Sequence, residues 1–157
     1  MIGVEEIKRV IPHRYPILLV DRVDEVVPGQ RLVARKAVTA AESCYSGTGG
    51  DQDPAYPLSH LLESWAQAAV LLACWEAPNP DVLAGKVELA TGISGVRLGG
   101  PVLPGDVLVH RVSLVRAVDD AVVLAGTSEV DGREVLSVAS FSAALRDSSV
   151  LTEGVAR

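Results

Sequence analysis

The chain has 157 residues, of which 48% are hydrophobic, enough for one domain with a sizeable core and too few for a second. Its net charge of −6 argues against nucleic-acid binding, which needs a basic face. No run approaches the roughly 20 apolar residues of a membrane span, no secretion signal is recognisable at the start, and Cys44 and Cys74 are too few for a disulfide framework.

These limits predict one cytoplasmic domain over residues 1–157, with residues 146–157 as a loose polar tail. The first elements are a short helix from Val4 to Val10 and a strand from Ile17 to Val27. After a Pro-Gly turn, Arg31 to Ala40 alternates as the partner strand, although neither of its faces is clearly apolar. Ser43 to Asp53 reads as a loop by composition.

A helix pattern that is apolar nearly all round follows from Pro57 to Ala73. The rest of the chain reads as strands: Val87 to Leu98, Asp106 to Val118, Ala121 to Val130, and Glu134 to Leu145. One long helix placed in sequence between strands predicts an α+β fold, in which a curved, mostly antiparallel sheet wraps around the helix.

One carboxylate, Glu63, lies in the middle of this apolar helix. It must be hydrogen-bonded or neutral, because an unpaired buried charge is too costly. That is also the setting in which an acid or a base is useful. Gln67 lies one turn further on the same face and is a candidate partner. The competing interpretation is a carboxylate satisfied by such a donor at an interface that performs no chemistry.

Several segments now point to a known family. Ile11 to Val23 resembles the opening of the hotdog-fold 3-hydroxyacyl-[acyl-carrier-protein] dehydratases of fatty-acid synthesis, and Glu63 to Ala69 resembles their Glu-x-x-Ala-Gln-x-Ala helix. Pro101 to Asp106 and Val130 to Gly132 are also similar to the family. These segments occur in the family's order over roughly residues 5 to 145, which makes chance a poor explanation. The resemblance implies a hotdog fold, a dimer whose two sheets join, and acyl tunnels at its interface.

The resemblance also implies a site split between two subunits. In such enzymes a His on the loop before the helix takes the C2 proton of the thioester, and the helix Glu of the other subunit helps the 3-hydroxyl group leave as water. Glu63 matches that acid and Gln67 matches the residue that braces it. The implied substrate is an acyl chain on phosphopantetheine, presented by an acyl carrier protein or as a CoA thioester, with no other cofactor and no metal.

The family's loop His has no counterpart in this sequence. The segment from Gly47 to Leu58 is one residue longer than the family motif, so that Thr48 or Gly49 takes the place of the His, depending on the end from which one counts. Neither residue can remove a carbon-bound proton, and Leu58 replaces a glycine of the motif. Thr48, Gly49, Gly50 and Leu58 remain candidates for contact with the thioester, because glycine N–H groups can cradle a carbonyl oxygen. Glycine clusters are, however, more often simply turns.

His60 is the candidate for a relocated base. It precedes Glu63 by three residues and so projects from nearly the same face of the helix. The competing interpretation is a helix-start residue without a catalytic role. His13 is interpreted as structural within its Pro-His-Arg-Tyr-Pro segment, and His110 as a solvent-facing strand residue.

The main functional hypothesis is a protein that binds an acyl thioester and eliminates water from it to form a trans-2-enoyl thioester. Three alternatives stay open: a degenerate subunit that completes a site with a His-bearing partner in a heterodimer, an acyl-binding module, and a thioesterase whose carboxylate activates water. An acidic carrier protein would need a local basic surface, for which the candidates are Lys86, Arg97, Arg111 and Arg116.

Overall fold

A computed structural model describes residues 1–46, 53–82, 86–147 and 149. The helices are α1, Val4–Val10, and α2, Leu58–Ala73, with a single 3₁₀ turn at Ser43–Tyr45. The strands are β1, Arg22–Val27; β2, Arg31–Ala37; β3, Lys86–Leu98; β4, Val107–Val118; β5, Ala121–Val130; and β6, Arg133–Asp147. Every helix and strand predicted from the sequence is therefore present.

The strands form one six-stranded sheet in the order β1-β2-β4-β5-β6-β3. All neighbouring strands are antiparallel, and α2 packs across β2, β4, β5 and β6. The predicted α+β architecture, an antiparallel sheet around one long helix, is confirmed.

The face of α2 that meets the sheet carries most of the core. Leu61, Trp65, Ala68 and Leu72 are buried there, and Trp65 makes an edge-to-face contact with Phe141 at a ring-centroid distance of 6.0 Å. Full burial of a leucine side chain contributes about 1.5 to 3 kcal/mol, and the alanine contributes less. The opposite face of α2 is apolar as well, but the sheet does not cover it completely.

Three predicted strand boundaries were wrong by two residues or more. The second strand, β2, ends at Ala37 rather than at Ala40. The first strand begins at Arg22 rather than at Ile17, because the backbone of Ile17 and Leu19 forms hydrogen bonds with a side chain of α2 instead of with a neighbouring strand. At the other end, β6 continues through Asp147 because it remains paired with β3. Residues 148 and 150–157 of the predicted tail lie outside the described residues.

One face of β2 is buried in the structure. The sequence did not predict which face this would be, because neither is clearly apolar. Leu32 and Ala34 are fully buried on that face, and Lys36 is only 6% exposed. The Lys36 ammonium group lies 3.0 Å from a carboxylate oxygen of Glu42, whose other oxygen accepts a hydrogen bond from the Tyr56 hydroxyl at 3.1 Å. This buried pair ties the end of β2 to the residues just before α2.

The prediction that His110 faces solvent was wrong. His110 is fully buried, as are Leu108 and Val112 two residues to either side, because alternate residues of β4 point towards α2. Its Nδ1 lies 2.8 Å from the hydroxyl of Ser128. Burial, together with the nearby Lys36 charge, lowers the pKa of His110 to about 3.

The two edge strands of the sheet, β1 and β3, differ in whether another segment pairs with their outer edge. The outer edge of β1 is paired with Ile2, which exchanges two backbone hydrogen bonds with Val23 at 3.0 and 2.9 Å. Over the described part of the chain, the outer edge of β3 has no such partner. Ile93, Val96 and Leu98 on this strand are 41%, 37% and 55% exposed. An exposed, apolar edge of this length is a surface on which another strand can pair.

Candidate active site

A cavity of about 630 Å³ lies against the face of α2 that the sheet leaves uncovered. The segment Pro12–His13 and the β3 residues 88 and 90–93 form further parts of its wall. The residues that α2 and its C-cap contribute recur at helical spacing along one stripe: Ser59, Leu62, Glu63, Ala66, Gln67, Val70 and Cys74.

Glu63 lies in this cavity wall with its side chain 37% exposed. Its Oε1 accepts a hydrogen bond of 2.8 Å from the amide of Gln67 and lies 3.6 Å from Nε2 of His13. Of the two predicted possibilities, a hydrogen-bonded or a neutral carboxyl group, the structure shows the hydrogen bond, from the predicted donor. The predicted burial of Glu63 was wrong, because this side of α2 faces the cavity and not the sheet. At 3.6 Å the imidazole nitrogen lies beyond hydrogen-bond distance of the carboxylate. The amide is therefore the bonded partner, and the imidazole and the carboxylate are neighbours in one site.

Gln67 holds the site together and is only 1% exposed. Its amide nitrogen donates to the carbonyl of Ile17 at 2.6 Å as well as to Glu63, and its amide oxygen accepts from the N–H of Leu19 at 2.9 Å. Both N–H donors and the oxygen of the Gln67 amide are therefore used, and the Leu19 N–H that it accepts from is buried. Gln67 fixes both the carboxylate and the segment that leads from His13 into β1.

His13, interpreted from the sequence as structural, lies in the cavity beside Glu63. Its position is set by Arg14, whose guanidinium group donates to the carbonyls of Lys8, Ile11 and His13 at 2.9, 2.8 and 2.7 Å and so closes the end of α1. Burial lowers the pKa of His13, outweighing the neighbouring Glu63 charge that raises it. Nδ1 of His13 is buried and has no partner within the described ranges, so no acceptor at this nitrogen stabilises a second N–H group.

No local sequence signal could have paired His13 with Glu63. The two residues lie on different elements. They meet because Arg14 fixes the chain at His13 and Gln67 binds the chain that follows it. The helical spacing argument could find partners within α2 alone.

The other predicted site residues are placed as follows. His60 does not line the cavity; its ring packs edge-on against Tyr56 at 5.7 Å, with Nδ1 3.4 Å from the hydroxyl of Ser59. Leu58 is the first residue of α2 and is 47% exposed. Thr48, Gly49 and Gly50 lie outside the described residues. Their predicted roles stay predictions.

The candidate basic residues do not form one patch. Arg97 is exposed on β3, whereas Arg111 and Arg116 are exposed on β4, with β5 and β6 in between. Arg111 also faces Glu129 on the neighbouring strand at 3.4 Å. The side chain of the remaining candidate, Lys86, lies outside the described part of the chain.

A search of the described ranges for metal-binding clusters of His, Cys, Asp and Glu found none. In the same ranges, no helix has the length and apolar character needed to cross a membrane.

Solved structures with the same fold include a chain of a dehydratase complex and a thioesterase. A chain of the dehydratase heterocomplex ApeI:P from Xenorhabdus doucetiae superposes with a TM-score of 0.77 at 16% identity, covering 96% of this chain and 97% of that one. The fluoroacetyl-CoA thioesterase FlK gives a TM-score of 0.64 at 14% identity, covering 84% of this chain and 96% of that one. At sequence identities this low, the similarity to these two structures shows the shared fold alone.

Proteins with similar sequences indicate the family more specifically than the solved structures do. The 3-hydroxyacyl-[acyl-carrier-protein] dehydratase FabZ of Myxococcus xanthus is 41% identical over 130 residues, 83% of each chain. The FabZ protein of Anaeromyxobacter dehalogenans is 40% identical over 147 residues, 94% of this chain and 92% of the relative. The FabA-like domain family matches residues 11–139. The span of this match and the identity to FabZ proteins show that the chain is a hotdog-fold member of the FabA-like family.

Proposed function

We propose that this protein is a 3-hydroxyacyl-[acyl-carrier-protein] dehydratase, which removes water from a 3-hydroxyacyl thioester to form the trans-2-enoyl thioester. The observation that carries the proposal is the contact between Glu63, Gln67 and His13 in the wall of a cavity of about 630 Å³. The cavity is mostly apolar in its lining residues, as an acyl chain requires. FabZ relatives of about 40% identity support the same reaction.

The reaction needs one base and one acid. The base takes the proton from C2, the electron pair of that C–H bond forms the C2=C3 double bond, and the C3–O bond breaks. The departing hydroxyl group takes a proton from the acid and leaves as water. Glu63 is the acid in this proposal, with the Gln67 amide orienting its carboxyl group, and positioned proton transfer of this kind contributes roughly 10² to 10⁴ in rate.

His13 is the base in this proposal and replaces the loop His of the family. It lies in the cavity at 3.6 Å from Glu63. In this proposal the proton taken from C2 returns to the carboxylate after water has left, either through one bridging water or after this separation shortens to about 3 Å. Because burial lowers the pKa of His13 below its ordinary value of 6.5, the imidazole is neutral at pH 7 and able to accept a proton. We expect kcat/KM to be maintained as the pH falls to about 6.5 and to decline only below it.

The active form in this proposal is a homodimer that pairs through the open edge of β3. The β3 residues 90–93 form part of the cavity wall, and a second copy along this edge would enclose the cavity and cover the exposed Ile93 and Val96. Thr48, Gly49, Gly50 and Leu58 keep their proposed role as contacts of the thioester. Sedimentation analysis should show a dimer, and Val96→Lys should shift it towards the monomer.

The proposed function is tested in the reverse direction, as hydration of a trans-2-enoyl thioester on an acyl carrier protein or on pantetheine. The reaction is measured as the loss of the enoyl absorbance. Glu63→Gln and His13→Asn should each lower kcat/KM by roughly a hundredfold or more. Glu76→Gln, which changes an exposed carboxylate just after α2, and His60→Ala should leave it nearly unchanged. Circular dichroism and denaturation curves would show that the variants fold.

Three results would contradict parts of this proposal. A loss of activity in His60→Ala with full activity in His13→Asn would assign the base to His60. Release of free thiol without an enoyl product would indicate a thioesterase. Activity that appears only after addition of a His-bearing relative, and that Glu63→Gln abolishes, would indicate a subunit of a heterodimer.

A further inference from the structure

The imidazole of His13 depends on the main chain for its position. Within the described ranges, the polar contact of the ring is the 3.6 Å approach of Nε2 to Glu63, which is longer than a hydrogen bond, and Nδ1 has no partner. No hydrogen bond in these ranges therefore fixes the ring beside the carboxylate. The groups that hold the main chain at His13 decide whether the imidazole and the carboxylate face each other.

The main chain at His13 leads directly out of α1. This helix ends before Pro12, because a proline has no N–H group to donate to the carbonyl of Lys8, four residues earlier. The guanidinium group of Arg14 donates to that carbonyl instead, at 2.9 Å, and to the carbonyl of Ile11, the C-cap of α1, at 2.8 Å. A third bond, of 2.7 Å, goes to the carbonyl of His13 itself.

The main chain of Arg14 is bound as well. Its carbonyl accepts hydrogen bonds from the N–H groups of Ile17 and Leu18 at 2.9 and 3.0 Å, and the carbonyl of Ile17 accepts from the amide of Gln67. Arg14 thus joins α1, on one side of His13, to the segment that α2 holds on the other side. A planar guanidinium group with five donors can bind several carbonyls in one fixed arrangement, which the single ammonium group of a lysine cannot do.

The charge of Arg14 acts on the same imidazole. Burial is the main cause of the lowered pKa of His13, and of the two charged neighbours that change this pKa further, Glu63 in α2 raises it and Arg14 lowers it. Glu88, the titratable group that β3 contributes to the cavity wall, contacts Cys74 at the far end of α2. The cation therefore offsets part of the effect of the Glu63 carboxylate and favours the neutral imidazole that a base requires.

We infer that Arg14 is a positioning residue for the proposed base: its guanidinium fork closes the end of α1 and holds the main chain at His13, so that the imidazole stays beside Glu63. This inference rests on the proposed dehydratase function and identifies the group on which its base depends. Arg14 does not line the cavity, so it acts through His13 and not on the substrate. Its charge serves the same purpose, because it keeps the imidazole in the form that accepts a proton.

Two substitutions separate the fork from the charge. Arg14→Lys keeps the positive charge and loses the fork, so that kcat for hydration of a trans-2-enoyl pantetheine thioester should fall by roughly tenfold or more with little change in KM, while the titration of His13 stays the same. Arg14→Gln loses the charge as well. His13 should then bind its proton at a higher pH, and the decline of kcat/KM on the acidic side should move to higher pH with it. Arg9→Gln, the matched control, removes an exposed cation from the last turn of α1 and should change neither quantity.

The titration of His13 is measured without turnover. NMR spectra follow the ring resonances as the pH is lowered, and His13→Asn identifies the resonances of His13 among those of the three histidines in the chain. Full kcat in Arg14→Lys would overturn the role of the fork, and an unchanged titration of His13 in Arg14→Gln would overturn the role of the charge. Both variants should fold in urea denaturation, because the side chain of Arg14 is on the surface.

A failure of the proposed function would be seen in a different variant. Full activity in His13→Asn would contradict the assignment of the base and with it the proposed mechanism. Loss of activity in His13→Asn, together with full activity in Arg14→Lys and Arg14→Gln, would leave the base in place and overturn the inference about Arg14 alone.

Discussion

Replacement of Gln67 by methionine tests the central claim about how the site is assembled. Methionine is close to glutamine in length and shape, so that the substitution removes the amide group without opening a large cavity in the core. The Leu19 N–H would then lose its acceptor in a buried position, and the carbonyl of Ile17 would lose its donor in a partly buried one.

The expected magnitude follows from these two backbone groups. An unsatisfied buried donor or acceptor costs about 1 to 3 kcal/mol, with the lower end suited to the partly buried carbonyl. We therefore expect Gln67→Met to lower the free energy of unfolding by about 2 to 4 kcal/mol. The lost hydrogen bond to Glu63 adds little to this value, because that carboxylate is 37% exposed. Loss of the same bond should reduce kcat, because the carboxyl group of Glu63 is then no longer held in one orientation.

Urea denaturation measures this change, with an unchanged m-value as evidence that the folded state stays compact. The matched control is Gln30→Met, which alters an exposed glutamine in the turn between β1 and β2 and should change stability by no more than about 0.5 kcal/mol. If Gln67→Met is as stable as this control, the segment from Ile17 to Leu19 does not depend on the Gln67 amide, and the argument for how His13 is placed is refuted.

Three further predictions concern buried groups. Lys36→Met should destabilise the fold by about 3 to 5 kcal/mol in urea denaturation, because it leaves Glu42, whose side chain is 14% exposed, without its cation. His110 binds its proton far more weakly in the folded protein, where its pKa is about 3, than in the unfolded chain, where it is 6.5. The free energy of unfolding should therefore fall as the pH drops below 6.5, by about 1 kcal/mol per pH unit. His110→Leu should show a shallower pH dependence of stability between pH 6.5 and pH 5, and an equal slope would contradict the burial of a neutral His110. Gly126→Ala would bring a Cβ within 1.9 Å of the Arg111 carbonyl oxygen and should lower the melting temperature sharply, whereas Gly92→Ala, which meets nothing within 4 Å, should not.

The strands and helices were predictable because their signals are local. The helix from Leu58 to Ala73 and the six strands follow from periodicity and turn residues, and the hydrogen bond between Glu63 and Gln67 follows from a spacing of four residues on one helix. The resemblance to hotdog-fold dehydratases supplied the arrangement of these elements, which local patterns do not contain.

The burial of individual polar residues was less predictable. The alternation of β4 is visible in the sequence, but only the position of α2 decides which alternate set becomes the inner face. His110 therefore had two equally regular orientations, and the packing of α2 selected the buried one. The same packing placed Lys36 inside, where the fold supplies Glu42 from a loop as its partner.

The sequence by itself predicted the α+β architecture, its order of elements and the carboxylate on its central helix, because all of these depend on residues that are close together in the chain. Only the tertiary structure decided that His13 lies beside Glu63 and that Glu88 meets Cys74 in the same cavity. Such contacts join segments as much as 50 residues apart, like the one between Gln67 and Ile17. They form because several elements pack at once, and no local spacing encodes that packing.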